Sequence, residues 1–475
     1  MSLSAFCVHG HFYQPPREDP LTGIIPKEEG AYPYDNWNAR IHDQCYKPNA
    51  DLGNFSRISF NLGPTVLEWM QTADPETLAR IIQQERDMYD ATGIPNGMAQ
   101  AYNHTILPLA TKRDKRTQIH WGMYEFQARF GHPAEGLWLP EAAVDTETLR
   151  VACSCGVKYV ILAPWQCADH GKDLNQPGWV ELGQGKRMVV FFYNQVLSTR
   201  VSFDPGATRN ADEFMVNAIL PEFQNGLGVP RDKFLIIASD GELYGHHQRF
   251  RDQFLARLTT ASYIGKPVRQ MLPAEWLQEN LPTQDMTIVE NSSWSCHHGV
   301  IRWSDDCGCT PGSHWKAPLR VALNRVAQEV DLVFERTLDG YGLDPYALRD
   351  NYIEVLLGQI PLDEFIRSHA KSSCSKEMLR NIAFLLKAQY ERQRMFTSCG
   401  WFFDDFDRIE PRNNVKYAAQ AVWLTRQVKP DLDLDGILSD LKKVVSTRSN
   451  LRADQVFKKH IQSAQAAWAG VPSKD

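Results

Sequence analysis

The sequence has no uninterrupted apolar stretch close to the roughly 18 residues that a membrane-spanning helix needs. Its first residues, MSLSAFCVHGHF, lack both the basic start and the long apolar core of a secretory signal peptide. Only ten cysteines occur in 475 residues, too few for a disulfide framework, so we expect reduced thiols. These absences predict a cytoplasmic protein without a membrane partner.

An excess of positive charge is also missing. Lys and Arg together number 51 against 57 Asp and Glu, which gives a net charge of −6. Such a balance does not suit the neutralisation of phosphates, so we expect no nucleic-acid partner. The 43% of hydrophobic residues allows a core of ordinary size, and the 13 tryptophans serve either that core or the stacking of sugar rings.

Seven short apolar runs recur through the first part of the chain, separated by polar or helical sequence. Runs of this length, rich in β-branched and aromatic residues, are typical of strands buried on both faces of a parallel sheet. The helical patterns between them indicate right-handed crossovers, and seven such units can close into a barrel. The runs are 3–8, 57–62, 97–102, 136–139, 158–163, 187–193 and 234–239, and the helical patterns are 64–73, 75–92, 113–130 and 211–224.

Two connections, 13–54 and 164–186, are long for a compact barrel, and long loops of this kind are usually functional. After about residue 291 the pattern changes to apolar periodicity with a charged opposite face. The helical patterns there are 317–336, 377–395, 412–428, 435–447 and 453–468. We therefore predict an α/β fold: a seven-unit (β/α) barrel over residues 1–290, then a mostly α-helical domain over 291–475 that contributes to the ligand groove.

Polar side chains follow the predicted strands at the edge where β/α barrels assemble their sites. They are His9 and His11, Asn61, Asn103 and His104, Trp138 and Glu141, Trp165 and Gln166, Asn194 and Gln195, and Asp240, Glu242, His246 and His247. Carboxylates for acid–base and nucleophilic work, with amides and imidazoles that bind hydroxyls, suit a polyhydroxylated ligand. Taken singly, Glu141 could be a salt-bridge partner and Asp240 a helix cap, but they share one predicted rim.

Five segments resemble the signature regions of glycoside hydrolase family 57, whose members act on α-glucans. The segments are HGHFYQPP from residue 9, AYNHTILPL from 101, GLWLPEAAVD from 136, ASDGELYGHH from 238 and NSSWSCHHGVIRW from 291. The segment TSCGWFFDD from residue 397 further resembles a subgroup with a C-terminal domain of unknown function. The resemblance covers most of the chain.

The resemblance implies a retaining mechanism on α-glucosidic bonds, without a metal or other cofactor, on a TIM-like barrel. Glu141 would be the nucleophile and Asp240 the acid/base, with the carboxyl groups about 5–6 Å apart and the pKa of Asp240 raised by burial and by nearby carboxylates. It implies substrate-binding roles for His9, His11, Gln14, His104, Trp138, Glu242, His246, Trp294, His297, His298, Trp303 and Trp401. We expect Trp294, Trp303, Trp315 and Trp401 to line the groove, although the segment GWFFDD, residues 400–405, could equally be a buried helix junction.

Several points stay open in the sequence. Phe12 and Tyr13 separate His11 from Gln14, so either His9 or His11 could be the key histidine of the first segment. The expected substrate is an α-glucan or maltooligosaccharide, with hydrolysis slightly favoured over glucanotransferase activity. Linkage, chain length and oligomeric state are not determined.

Three alternatives compete with this reading. Zinc prefers thiolate and imidazole ligands, and Cys296, His297, His298, Cys307 and Cys309 fall within fourteen residues, but not at the spacing of a standard zinc finger. A metal-dependent polysaccharide deacetylase needs an Asp pair near the first strand, where this chain has His-Gly-His. A glucan-binding protein without catalysis is disfavoured because both carboxylates are present.

Overall fold

The computed structural model describes residues 4–224, 232–261, 268–370 and 374–469. Within these residues the chain forms two compact units. The first consists of 1–14, 27–102 and 122–295, and the second of 15–26, 103–121 and 296–475. The last division lies just beyond the boundary placed at residues 290 and 291 from sequence, whereas 15–26 and 103–121 had been placed in the barrel.

The strands of the first unit coincide with the seven predicted runs. The described residues contain β1 Ser4–Phe12, β2 Ser59–Leu62, β3 Ala99–Gln100, β4 Leu137–Trp138, β5 Tyr159–Leu162, β6 Gly178–Gly183, β7 Lys186–Phe192, β8 Lys233–Asp240 and β9 Arg269–Gln270. Only β6 and β9 lie outside the predicted runs. The long strands β1 and β8 are buried along almost their whole length, as expected for strands covered on both faces.

Seven parallel strands follow one another in a ring. Strand β1 pairs with β2 on one side and β8 on the other, β3 pairs with β4, and β5 pairs with β7. Single contacts join these groups: the bridges Phe60–Gly97 and Gly136–Tyr159, and a 2.8 Å hydrogen bond from Asn194 N to Ile236 O. The fold prediction of a seven-unit barrel with a helical C-terminal part is confirmed.

The interior of the first unit is filled by alternate residues of the strands, because successive side chains of a strand point to opposite faces. One cluster of buried residues takes Ala5 and Cys7 from β1 and Phe234 and Ile236 from β8, together with Trp138 and Trp276. The ring of Phe234 stacks on Trp276 with centroids 5.0 Å apart. Trp294 packs against the same cluster, so the core supports residues of the site described below.

The four helical patterns predicted for the barrel agree closely with observed helices, and the barrel also contains helices that had not been predicted. The helices of the barrel are Trp37–Ile41, Lys47–Asp51, Pro64–Ala73, Pro75–Thr92, Lys112–Phe130, Thr146–Ser154, Gln195–Phe203, Ala211–Phe214, Leu220–Gln224, Arg251–Thr260 and Pro273–Glu279. A π-helical turn, Met215–Ile219, interrupts the predicted helix 211–224. Proline at the first position, with an Asp or Gly cap before it, explains the sharp starts at Pro64 and Pro75.

The predicted loop 164–186 contains a strand that the apolar pattern did not reveal. Strand β6 pairs antiparallel with β7 through a two-residue turn at Gln184 and Gly185. Both turn residues have positive φ, 56° and 71°, the backbone of a type I′ hairpin. The other long connection, 13–54, includes two short helices and a π-helical turn, His42–Tyr46.

The second unit is helical. Its C-terminal part contains Lys316–Gly340, Pro345–Asn351, Ile353–Leu356, Leu362–His369, Lys376–Arg394, Cys399–Phe402, Ile409–Arg426, Asp435–Leu441 and Ala453–Ala469. The helix predicted over 435–447 ends early, at Leu441. Within this unit the buried carboxylate of Asp114 pairs with Arg349 at 3.0 Å and Arg392 at 2.9 Å. Across the described part of the chain, we find no helix with the length and apolar character that crossing a bilayer requires.

Candidate active site

Two histidines project from the same face of β1, because they are two residues apart on a strand. Asn61 of β2 holds both: its Nδ2 donates to His11 Nδ1 at 2.9 Å, and its oxygen lies 3.2 Å from His9 Nε2. Ser59 Oγ lies 2.9 Å from the other nitrogen of His9. Burial lowers the pKa of His9 to about 3 and that of His11 to about 4. Both rings are therefore neutral near pH 7 and serve as hydrogen-bonding groups.

Trp138 of β4 supports these histidines. Its indole stacks on His9 with centroids 4.7 Å apart and on His11 with centroids 5.1 Å apart, at interplanar angles of 19° and 22°. Trp294 packs edge-on against Trp138, with ring centroids 5.0 Å apart. Trp138 is fully buried. The indole therefore positions the histidines and offers no free face to a ligand, unlike the predicted substrate-binding role.

Glu141 stands on a strained turn directly after β4. Its backbone is left-handed, with φ 58° and ψ 22°, and Ala142 follows with φ 46°. A residue with a Cβ pays about 1–2 kcal/mol for this conformation. Such strain is typical of functional sites, where the surrounding structure fixes one side-chain direction.

Two consecutive residues, Trp294 and Ser295, hold the Glu141 carboxyl group in place. Trp294 Nε1 donates to Oε2 at 3.1 Å and Ser295 Oγ donates to the same oxygen at 2.7 Å. The backbone N–H of Trp294 also donates to the Glu141 carbonyl at 2.9 Å. Donors converging on one oxygen stabilise a carboxylate and orient it. Trp294 thus holds Glu141, a more specific role than the predicted lining of a groove.

Asp240 ends β8 beside His11, its register partner on β1. The next turn, Gly241–Leu243, carries Glu242, whose Oε1 accepts from Tyr13 N at 3.0 Å and from Tyr46 Oη at 2.6 Å. Gly241 permits the turn, because a Cβ there would lie 2.3 Å from the ring of Phe12. The two carboxyl groups of this turn consequently differ in surroundings: Asp240 is exposed, while Glu242 is buried.

Both carboxyl groups of this turn hold their protons more tightly than usual. Desolvation by the surrounding protein, and secondly the negative charge of Glu141, raise the pKa of Asp240 to about 7. Burial, reinforced by the charge of Asp240, raises the pKa of Glu242 to about 8. Solvent nevertheless reaches Asp240, so this residue is open to a ligand.

The segment 13–54 positions two further predicted residues. Gln14 is nearly buried and its Nε2 donates to Tyr13 O at 2.9 Å. His246 Nδ1 lies 2.7 Å from Gln44 Oε1, and its ring meets the edge of Trp37 at 5.9 Å. Burial, and secondly His247, lower the pKa of His246 to about 4. The first unit therefore brings together His9, His11, Gln14, Trp138, Glu141, Asp240, Glu242, His246 and Trp294.

The remaining predicted residues belong to the second unit. His104 is buried, has φ 53°, and its Nδ1 lies 2.6 Å from Ser398 Oγ. His297 is exposed, and His298 lies among three cysteines. The role in sugar binding of His104 and His297 stays a prediction.

The tryptophans expected to line a groove from the second unit do not do so. Trp303 and Trp401 are fully buried and Trp315 is 2% exposed. The guanidinium of Arg320 covers Trp401 at 3.9 Å, and Phe396 lies parallel to it. An indole whose faces are covered by protein cannot stack on a sugar, so these residues form the core of this unit.

Sequence reasoning missed several residues that shape the site. Ser295, Tyr13 and Tyr46 were not singled out, although each donates to a site carboxylate. Ser295 stands beside Trp294 in a quoted segment, and both tyrosines lie within the long connection 13–54. Their pairing with carboxylates far away in sequence left no local signal.

Two family models match this chain. The family model "Glycosyl hydrolase family 57" matches residues 30–288, and "Domain of unknown function (DUF3536)" matches 312–474. The chain is 20% identical over 256 residues to an alpha-amylase of Pyrococcus abyssi, covering 51% of this chain and 36% of that protein. It thus spans about a third of the length of the curated relatives that it matches.

Solved structures share the fold at low sequence identity. An exo-type maltose-forming amylase from Pyrococcus sp. ST04 has a TM-score of 0.69 and 14% identity, over 96% of this chain and 88% of that one. A branching enzyme from Thermococcus kodakaraensis has a TM-score of 0.63 and 15% identity, with 96% of each chain covered. The family model spans more than half of the residues and ends beyond the Asp240 turn. The chain belongs to glycoside hydrolase family 57.

Proposed function

We propose that this protein is a retaining enzyme of α-glucans, in which Glu141 is the nucleophile and Asp240 the general acid and base. One observation carries the proposal: Glu141 is oriented by two donors, and burial together with the charge of Glu141 raises the pKa of Asp240 to about 7. Two carboxyl groups with separate protonation states are what a retaining glycosidase needs. The predicted separation of about 5–6 Å between them stays a prediction.

In the first step, Asp240 protonates the glycosidic oxygen while Glu141 attacks the anomeric carbon. The bond to the leaving sugar breaks and a covalent glycosyl-Glu141 ester forms. The negative charge of Glu141 is one cause of the raised pKa of Asp240, and esterification removes that charge. The Asp240 pKa therefore falls, and the residue becomes a better base for the second step.

In the second step, Asp240 takes a proton from the incoming hydroxyl, whose oxygen displaces Glu141. Water as acceptor completes hydrolysis, and a sugar hydroxyl completes transfer. The neutral imidazole of His11 is suited to hydrogen bonds with substrate hydroxyls, since the ring has one donor and one acceptor nitrogen. Both ring nitrogens of His9 already lie within hydrogen-bonding distance of Ser59 and Asn61, so His9 positions His11 through their shared partner Asn61.

We infer amylase-type hydrolysis as the activity, with glucan transfer as the second candidate. The two similar structures described above are named as an amylase and a branching enzyme, which supports both hydrolysis and transfer as candidate activities. The deacetylase alternative loses its support, because the chain belongs to a glycoside hydrolase family. The α-glucan substrate rests on the same relatives.

Incubation of the purified chain with maltoheptaose and amylose should separate these activities. We expect shorter chains and a matching rise in reducing ends, since water reaches Asp240. Longer products without new reducing ends would indicate glucan transfer instead of hydrolysis, and new branch points would indicate branching activity. Glu141→Gln, purified in parallel, controls for contaminating amylase. Binding without any turnover would overturn the proposal in favour of a glucan-binding protein.

The pH profile of kcat/KM should fall on the alkaline side with an apparent pKa near 7. Asp240 must carry a proton to act as an acid, and its raised pKa keeps that proton up to about pH 7. Above this value, activity should drop about tenfold per pH unit. The leaving group of α-glucosyl fluoride needs no proton. With this substrate the rate of the glycosylation step should therefore show no fall on the alkaline side. Activity on maltoheptaose that stays constant to about pH 9 would contradict the assignment.

A further inference from the structure

Four potential metal ligands converge in the second unit, outside the carboxylate site. Cys296, His298, Cys307 and Cys309 place one sulfur or ring nitrogen each within 4.8 Å of all the others. Cys296 Sγ lies 3.9 Å from Cys307 Sγ and 3.7 Å from Cys309 Sγ. His298 Nδ1 lies 3.9 Å from Cys296 Sγ and 3.4 Å from Cys309 Sγ.

These four distances match four of the six edges of a tetrahedron around a zinc-sized ion. Zinc binds thiolate at about 2.3 Å and imidazole nitrogen at about 2.0–2.1 Å. Tetrahedral geometry then separates two sulfurs by about 3.8 Å and a sulfur from a nitrogen by about 3.6 Å. A disulfide would instead require about 2.05 Å between sulfurs, far below the 3.7 and 3.9 Å observed.

The local backbone is arranged to bring the ligands together. Gly308 separates Cys307 from Cys309 and has φ 75°, a left-handed conformation that turns both thiols to one side. Its N–H donates to Asp306 Oδ1 at 2.9 Å, which holds the turn. Cys296 and His298, two residues apart, supply the other pair of ligands. The order Cys-x-His and Cys-Gly-Cys differs from a standard zinc finger, which is why spacing alone did not identify it.

A buried cation beside the cluster indicates compensating negative charge. Lys316 is fully buried, and its Nζ has no hydrogen-bond partner among the described residues. Cys307, Asp306 and Cys296 lie within electrostatic range of this ammonium, as does the like-charged Arg302. A Zn²⁺ ion with three thiolates and one neutral imidazole carries one net negative charge, which would add to that of Asp306 in stabilising the buried Lys316.

We propose that Cys296, His298, Cys307 and Cys309 form a structural Zn²⁺ site. The four protein ligands complete the tetrahedron, so no position remains for water or substrate, as in structural rather than catalytic zinc sites. The ion ties residues 296–298 to the turn 307–309 ahead of helix Lys316–Gly340. The site replaces the expectation that this protein binds no metal and that His298 contacts sugar, and it is independent of the proposed function.

The test is the metal content of the full-length protein, purified under reducing conditions and passed through a desalting column. We expect about one zinc ion per chain. Cys309→Ala and His298→Ala should lower the zinc content at least about tenfold. His297→Ala removes a neighbouring imidazole, and Cys153→Ala removes a remote thiol. Both control variants should keep the zinc.

Cobalt gives a readout independent of folding yield. Wild type reconstituted with Co²⁺ should show thiolate-to-metal charge transfer and the intense visible bands of tetrahedral cobalt, and Zn²⁺ should remove them. Failure of soluble wild type to bind zinc or cobalt would overturn the proposal. So would an unchanged zinc content in both ligand variants, or a disulfide among Cys296, Cys307 and Cys309 in reduced preparations.

Discussion

Replacement of Glu141 by Gln should lower kcat on maltoheptaose by at least about 10³-fold. An amide is a poor nucleophile and cannot form the glycosyl ester on which the two-step route depends. The fold should survive, because a Gln side-chain oxygen can still accept from Trp294 Nε1 and Ser295 Oγ. Initial rates measured by reducing-end release, with circular dichroism to verify folding, give the comparison.

Azide distinguishes the nucleophile from the acid in a matched variant. Glu141→Gly opens space for the anion on the face that the carboxylate occupied, so rescue with α-glucosyl fluoride should give β-glucosyl azide. A product with α configuration would assign Glu141 as the acid/base instead. Ser295→Ala removes one donor from Oε2 and should cost only about tenfold. Near wild-type activity of Glu141→Gln would refute the assignment outright.

The second large effect concerns Asp240→Asn. On maltoheptaose, whose leaving group must be protonated, kcat should fall by about 10²–10⁴-fold. On α-glucosyl fluoride the first step needs no acid, so glycosylation should stay close to wild type. Deglycosylation still needs a base, so the glycosyl-enzyme should accumulate and KM should fall. Intact-protein mass spectrometry should then detect the added glycosyl group.

Glu242 provides the control for this experiment. With a pKa raised to about 8, it is the competing proton donor on the same turn. Its carboxyl group is buried and already accepts from Tyr13 and Tyr46, so we assign it a positioning role. Glu242→Gln should leave the ratio of activities on the two substrates unchanged. If Glu242→Gln alone shifts that ratio, or if Asp240→Asn loses equally on both substrates, Asp240 is not the acid.

The barrel strands could be predicted from sequence because both of their faces are buried. A strand such as β8 then appears as a continuous apolar run, and its polar end, Asp240, marks the functional edge. Strand β6 escaped detection because it alternates buried and exposed residues. The turn at Gln184 and Gly185 was the other available signal for this strand, and it is weaker than the Asn-Gly pair typical of type I′ hairpins.

The site could be predicted only in part, since a residue's type does not specify its surroundings. His9, His11 and Asp240 lie at the ends of β1 and β8, where the apolar runs had placed them, and their roles stay predictions. Trp303 and Trp401 were misplaced, because a tryptophan in sequence gives no indication whether its faces meet a ligand or the core. The pairing of Glu141 with Ser295 joins residues 154 positions apart, which no local pattern encodes.

The left-handed backbone at Glu141 sets stability against function. A glycine there would relieve the roughly 1–2 kcal/mol of Cβ strain while abolishing the nucleophile, and this gain offsets part of the cost of removing the acceptor for Trp294 Nε1 and Ser295 Oγ. Engineering campaigns that select heat-resistant clones before assaying turnover would thus fail to remove dead enzymes at this position. Mutational screens of this barrel therefore need a selection for catalysis at every round.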